Sequence, residues 1–372
     1  MALLERLGIE PFQQAFPWYG PDLQTVRDTL LPPAPLEARG QRLLIDLPDG
    51  GQLLAWLNRP VPTALPRALV LLVHGLGGDS DSPALARLTR LLLASRLAVL
   101  RLNLRGAGAG RGLASGCYSA ACAGELRPVL ALARELAGHL AAGHGCPLPL
   151  FGVGHSLGGT ILLNLCLNDG GADRASTHRG AQDGNGRAVP PPPALDGLVC
   201  LSSPLDLEAC SQRIGAPRNA LTHAWLLRRL IRQVLADPEP LPAAEREALQ
   251  GPGAVRSLRQ FDHRITAQRW GFGSVEDYYR SASPLPKLLA GAPLPPSLLL
   301  QARDDPWVPS EAIERLLRRN PAGGPALLLT ARGGHTGFHG EGSVLGRQLG
   351  SWADRLVVRW LLAQCGADSA VG

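Results

Sequence analysis

The chain has 372 residues, 45% of them hydrophobic, which suffices for one large α/β domain with an insertion or for two domains. Its formal net charge is +6, carried by scattered arginines with Lys287 as the sole lysine, and aromatic residues make up only 5%. No basic stripe interleaves with aromatics, which argues against a nucleic-acid partner, while the positive balance leaves room for transient attraction to an anionic membrane surface.

Residues 1–40 read as an irregular arm packed on the core, with a short helix near 22–27. Two apolar runs, 42–47 and 52–57, flank Pro48-Asp49-Gly50-Gly51, which predicts an antiparallel hairpin. The continuous apolar run 68–73 predicts a parallel strand covered on both faces, ending in His74-Gly75-Leu76-Gly77-Gly78. A helix is expected over 82–95, with Ser82 as cap and Pro83 in the first turn. A strand at 97–104, a helix at about 119–141, a short strand at 147–151 and a buried helix at 160–167 follow. Residues 168–195 are rich in Gly, Asp and Pro and hold little that packs, so a mobile surface insertion is expected there.

The strand pattern resumes at 195–201, closing the first part of the core at 41–203. No strand-like run occurs from 204 to 293; helices are expected at 219–236, 242–250, 254–269 and 275–280. Lying between core strands, this stretch predicts a helical cap. The second part of the core, 294–372, holds a strand at 296–301, a helix at 310–319, a strand at 326–330 and a last helix at 350–364. This alternation predicts an α/β class: a mostly parallel, doubly wound sheet led by an antiparallel N-terminal hairpin. Seven cysteines show no C-x-x-C and no zinc spacing, which suggests reduced thiols in a cytoplasmic setting. The first residues lack a secretory pattern, and no apolar run approaches the ~20 residues of a membrane span. No metal or cofactor is implied.

Gly154-His155-Ser156-Leu157-Gly158 lies between a predicted strand and a predicted helix. That is the context of a nucleophile elbow, where a serine sits on a strained strand-to-helix turn and flanking glycines avoid clashes with the crossing chain. A serine hydroxyl needs a base within reach, and the base needs an orienting carboxylate. In an open α/β sheet such groups lie at the carboxyl ends of strands. Asp304 and Asp305 follow the strand at 296–301, and His335 follows the last strand in a Gly-rich loop. Asp305, four residues before Pro309, is preferred as the acid, with Asp304 as the alternative. The order Ser156, Asp305, His335 is that of the α/β hydrolases. The other histidines fit structural or solvated roles better: His74, His155 and His339 in loops, His223 and His263 in the cap. Oxyanion donors are expected at the Leu157 and Leu76 backbone amides. Phe261, Trp270, Phe272, Tyr278 and Tyr279 are candidates for the walls of an acyl pocket.

His74-Gly-Leu-Gly-Gly, Asn103-Leu-Arg-Gly106, Gly154-His-Ser-Leu-Gly-Gly159, Ala302-Arg-Asp-Asp-Pro306 and Gly333-Gly-His-Thr-Gly-Phe338 together resemble the YheT-like branch of the α/β hydrolases, related to eukaryotic ABHD lipases. Weaker likeness extends to Leu23-Gln-Thr25 and to Phe261-Asp-His-Arg-Ile-Thr266, and covers nearly all of the chain outside 168–195. The chain departs from the pattern at Asp22, where His is expected, and at His155, where Tyr is common. The resemblance implies a serine hydrolase of short- to medium-chain acyl esters or acylglycerols. An acyltransferase using the same acyl-enzyme is the first alternative, because His74 to Asp79 fits the loose H-x-x-x-x-D pattern. A non-catalytic ligand-binding protein on a hydrolase scaffold is the second.

Overall fold

A computed structural model of the chain describes residues 2–61, 65–141, 147–168, 195–319, 323–340 and 350–366. Its centre is an eight-stranded sheet: β1 Gln41–Asp46, β2 Gln52–Asn58, β3 Ala68–Val73, β4 Leu97–Asn103, β5 Leu150–His155, β6 Gly197–Leu201, β7 Ser297–Ala302 and β8 Ala326–Thr330. The strand order is β1-β2-β4-β3-β5-β6-β7-β8. β1 pairs antiparallel with β2, Gln41 opposite Leu57 and Asp46 opposite Gln52, and β2 pairs antiparallel with β4. From β4 onward every pairing is parallel.

The period-2 alternation of strand side chains divides the core into two layers. Leu69, Leu71 and Val73 of β3 pack with helices Leu126–Leu140 and Leu157–Asn168. Ala68, Val70 and Leu72 pack on the other face with helices Pro83–Ala94 and Trp352–Gln364. The chain leaves β3 to one side for β4 and returns to the other side for β5. The ends of β3 and β5 therefore flank a topological switch point, where ligands bind in open α/β sheets.

Several elements differ from expectation. The helix expected from 119 starts at Leu126, after a 3₁₀ turn at Cys122–Glu125. The Ala120 backbone is bonded to side chains instead: its N–H donates to Tyr278 Oη (3.1 Å) and its carbonyl accepts from Asn164 Nδ2 (3.0 Å). β5 runs on through Gly152 and Gly154, because ladders from β3 and β6 hold it on both sides. Ser82 sits at the helix start, but its hydroxyl accepts from Asp79 N–H instead of capping (2.9 Å). Between β6 and β7 all elements are helical, including an unexpected helix Leu207–Ile214 capped by Asp206. The helix expected over 254–269 is broken by a π turn, Asp262–Thr266. The insertion expected at 168–195 lies, apart from its ends, outside the described residues. No helix among the described residues is long and apolar enough to cross a membrane.

Candidate active site

Ser156 directly follows β5 in the left-handed region, φ 51°, and the helix Leu157–Asn168 starts immediately after it. The glycines around it carry the sterics. A Cβ on Gly154 would lie 2.3 Å from Gly159 N, and one on Gly158 would lie 2.4 Å from Val73 O and 2.5 Å from His74 O. All of these obstacles are backbone, in the first turn of the following helix and at the end of β3. Gly158→Ala is expected to lose about 3 kcal/mol of stability, the upper end for overpacking, because the obstacle is backbone. Urea denaturation followed by circular dichroism measures it; a loss below about 1 kcal/mol would mean the crossing loop can move.

His335 Nε2 lies 3.0 Å from Ser156 Oγ, and its Nδ1 lies 2.9 Å from Asp305 Oδ2. An ionised carboxylate only accepts, so Nδ1 carries the ring proton and Nε2 is left to take one from the serine. Asp305 is nearly inaccessible. Its Oδ1 accepts from Trp307 N–H (2.8 Å) and Val308 N–H (2.9 Å), and its Oδ2 also accepts from Gln301 Nε2 (3.1 Å). The Trp307 ring covers the imidazole at 4.7 Å between centroids. Asp304 instead accepts from Gly334 N–H (2.9 Å), bracing the loop that carries His335, and burial pushes its carboxyl above the usual range.

Four other histidines stand outside this series. His74 Nε2 accepts from Leu104 N–H (3.2 Å), so its Nδ1 donates to Gly75 O (2.9 Å), and burial lowers its pKa to about 4. His339 is buried 3.6 Å from Asp28, and His223 accepts from Leu258 N–H (3.0 Å). His155 is buried, and its Nε2 has no protein partner among the described residues.

The loop after β3 passes so close to the serine that a Cβ on Gly75 would lie 3.0 Å from Ser156 Cβ. The Gly75 carbonyl accepts from Gly78 N–H (3.1 Å) and Tyr118 Oη (3.1 Å) as well as His74. Tyr118 Oη in turn accepts from Gly77 N–H (2.7 Å). This staple holds the loop in one turn conformation. Neither the Leu76 nor the Leu157 amide meets a protein acceptor among the described residues. Both residues line the cavity beside Ser156.

Residues 70–343 match the family described as the alpha/beta hydrolase family. The chain belongs to the α/β-hydrolase family. It is 30% identical over 330 residues to the putative esterase YheT of Escherichia coli (strain K12), covering 87% of this chain and 85% of that one. It is 26% identical over 328 residues to phospholipase ABHD3 of Homo sapiens, covering 86% and 71%. Among solved structures, the native esterase Est2 of Thermogutta terrifontis aligns with a TM-score of 0.52 at 14% identity, over 92% of this chain and all of that one, a likeness of fold.

In this α/β hydrolase the N-terminal arm grips the loop that carries His335. Thr25 Oγ1 accepts from His335 N–H (2.9 Å) and donates to Pro21 O (2.7 Å). The buried Gln24 donates to Trp18 O (2.6 Å) and His339 O (2.8 Å) and accepts from His339 N–H (2.6 Å). The contact is tight: a Cβ on Gly337 would lie 2.4 Å from Gln24 O, and Gly334 has φ +61° with Pro21 O just as near. Leu23-Gln24-Thr25 was legible only as a likeness; nothing local says that it meets residues some 310 positions away. Thr25 is thus a positioning residue. Thr25→Val, which orphans the His335 N–H, is expected to lower kcat about 10- to 100-fold with KM little changed, and Thr25→Ser to restore it. Steady-state kinetics on a soluble ester measures both; a purely KM effect would remove Thr25 from this role.

A cavity of about 230 Å³ opens on Ser156. Tyr278 and Tyr279 line it, with Leu207, Leu226 and Leu258 from the helices between β6 and β7, and Trp307. Phe261, Trp270 and Phe272 do not. Phe261 is buried among those helices and borders a neighbouring cavity of about 30 Å³. Trp270 donates its indole N–H to Cys117 O (3.1 Å), and Phe272 packs on Tyr278 at 5.5 Å. An aromatic residue in a helical stretch has the same sequence signature whether it faces a ligand or a core.

One wall residue is a carboxylate. Asp262 accepts from Tyr279 Oη (2.7 Å) and Thr266 Oγ1 (2.8 Å), and burial raises its pKa to about 6, above the usual 3.8. Between about 3.8 and about 6 the folded chain therefore holds a proton here that the unfolded chain has released. This group's stabilising contribution is full below that window and is lost as pH rises through it. The Tm of the native chain minus that of Asp262→Asn is expected to fall between pH 4 and pH 7, in scanning calorimetry; a flat or rising difference would contradict the shift.

Proposed function

We propose that this α/β hydrolase is a serine carboxylic-ester hydrolase acting on short- to medium-chain acyl esters or acylglycerols. The observation that carries the proposal is the unbroken hydrogen-bonded series Ser156, His335, Asp305 at the mouth of a mostly apolar cavity. Ser156 Oγ attacks the ester carbonyl while His335 Nε2 takes its proton and then returns it to the leaving alcohol. Asp305 fixes the imidazole tautomer and stabilises the imidazolium that forms. The Leu76 and Leu157 amides hold the oxyanion, and water releases the acid from the acyl-enzyme. The stretch 204–293 acts as the cap over the acyl group, with Tyr278 and Tyr279 in its wall. The names of the relatives, esterase and phospholipase, support ester or lipid substrates.

The H-x-x-x-x-D pattern does not carry the acyltransferase reading, because both ring nitrogens of His74 are committed to backbone groups. The test is a fluorophosphonate probe together with p-nitrophenyl butyrate. Labelling at Ser156 that abolishes turnover is the expected result. A folded chain that neither labels nor turns over would favour a non-catalytic binding protein instead.

A further inference from the structure

Resting on the ester-hydrolase reading, we propose that Asp262 is a recognition point for a substrate hydroxyl carried next to the scissile ester. The argument begins with position. Asp262, Leu76, Leu157 and Tyr278 border both the main cavity and the small one behind it. Leu76 and Leu157 bear the amides assigned to the oxyanion, so Asp262 shares the walls of both cavities with the residues that flank the proposed place of the ester carbonyl.

Its surroundings leave it able to accept more. Each carboxylate oxygen receives one protein hydroxyl, from Tyr279 and from Thr266, and an ionised carboxylate offers about four acceptor sites. No basic side chain is within ion-pair distance of it among the described residues: Arg259, whose charge acts on it from farther off, is bonded to Glu208 and Glu276. Tyr279 Oη also lies 2.9 Å from Ser211 Oγ, so Ser211, Tyr279 and Asp262 form a short polar strip in an otherwise largely apolar wall. The backbone is unusual at the same place. Asp262 opens the π turn Asp262–Thr266, a form of helix that is rare and frequent at functional sites.

The chemistry then selects the ligand. A carboxylate enclosed by apolar groups is unfavourable unless donors satisfy it. An alkyl ester offers it none. A hydroxyl one or two carbons from the ester does, and that hydroxyl can belong to the alcohol, as in a glyceryl ester, or to the acid, as in a 3-hydroxyacyl ester. A site built to bond a substrate hydroxyl rejects the analogue lacking it, because its own polar groups are then left dry.

Three esters of similar size separate the cases: glyceryl monobutyrate, propyl 3-hydroxybutyrate and propyl butyrate. One of the two hydroxylated esters is expected to exceed propyl butyrate about 10- to 100-fold in kcat/KM, and its identity assigns the hydroxyl to the alcohol or the acid. The advantage should collapse towards unity in Asp262→Leu combined with Tyr279→Phe, which removes the carboxylate together with its donor. Fluorophosphonate labelling reports that this variant is folded; if it is not, the nearly isosteric Asp262→Asn carries the comparison. Equal kcat/KM for all three esters, or an advantage unchanged in the variants, overturns the proposal. Ser156→Ala protein separates it from the hydrolase reading. There the favoured ester should raise Tm more than propyl butyrate does, and only while Asp262 is present. That difference without hydrolysis of any ester by the native chain would overturn the hydrolase reading and support the recognition site.

Discussion

Ser156→Ala is expected to lose p-nitrophenyl butyrate hydrolysis by about 10⁴- to 10⁶-fold in kcat, the range seen when a triad serine is removed. Fold is not at issue. Alanine is smaller than serine, and the left-handed φ of 51° is held by neighbours that stay in place: Ser156 N–H bonded to Leu201 O (2.8 Å) and the close-packed glycines on either side. What disappears is the hydroxyl oxygen 3.0 Å from His335 Nε2. Residual catalysis then comes from binding and oxyanion donors alone. Circular dichroism should be unchanged while single-turnover acylation vanishes. Activity within about 10-fold of the native chain would remove the acyl-enzyme mechanism altogether.

Asp305→Asn is expected to lower kcat about 10⁴-fold, through the wrong imidazole tautomer. The hydrogen bonds around this residue dictate which way an amide would sit. Trp307 N–H and Val308 N–H both donate to Oδ1, so the amide oxygen is held there. The NH₂ group is then turned towards His335 Nδ1, a donor facing a donor. His335 escapes by placing its proton on Nε2, which can no longer accept from Ser156. Asp304→Asn keeps an oxygen for Gly334 N–H and should stay within about 10-fold of the native chain. Steady-state kinetics on the two variants decides the acid: equal losses, or a larger loss at 304, would reverse the assignment. A rise of the Asp305→Asn rate at high pH would support the tautomer account.

Much of the fold was legible because it depends on local periodicity. The continuous apolar run at 68–73 and the strand expected at 97–104 belong to strands buried on both faces, and Asp49-Gly50 lies between paired strands. One miss has a clear tertiary cause. Where a side chain from a distant element takes a backbone hydrogen bond, local propensity loses authority. Ala120 is held by Tyr278 and Asn164 and leaves the helix expected there. The π turn at Asp262 likewise has no sequence signal that a helical period would reveal.

At the site the division runs between chemistry and geometry. The residue types and their order, an elbow serine followed by strand-end acids and a histidine, are readable because a nucleophile, an acid and a base each need a particular kind of turn at a strand end. Which of Asp304 and Asp305 meets the ring is decided by tertiary structure, since adjacent residues in a turn point in different directions. The same holds for the pocket wall, where Tyr278 and Tyr279 face the cavity while Phe261 and Phe272 are packed away from it. The grip of Gln24 and Thr25 on the His335 loop was beyond any local reading. The strands, the strand-to-helix turn at Ser156 and the chain order of Ser156, Asp305 and His335 could be read from sequence, because those rest on neighbours within a few residues. Tertiary structure alone decided partners, cavity walls and the role of the arm. Those contacts join segments separated by up to 315 residues, and only the packed sheet brings such segments within hydrogen-bonding distance.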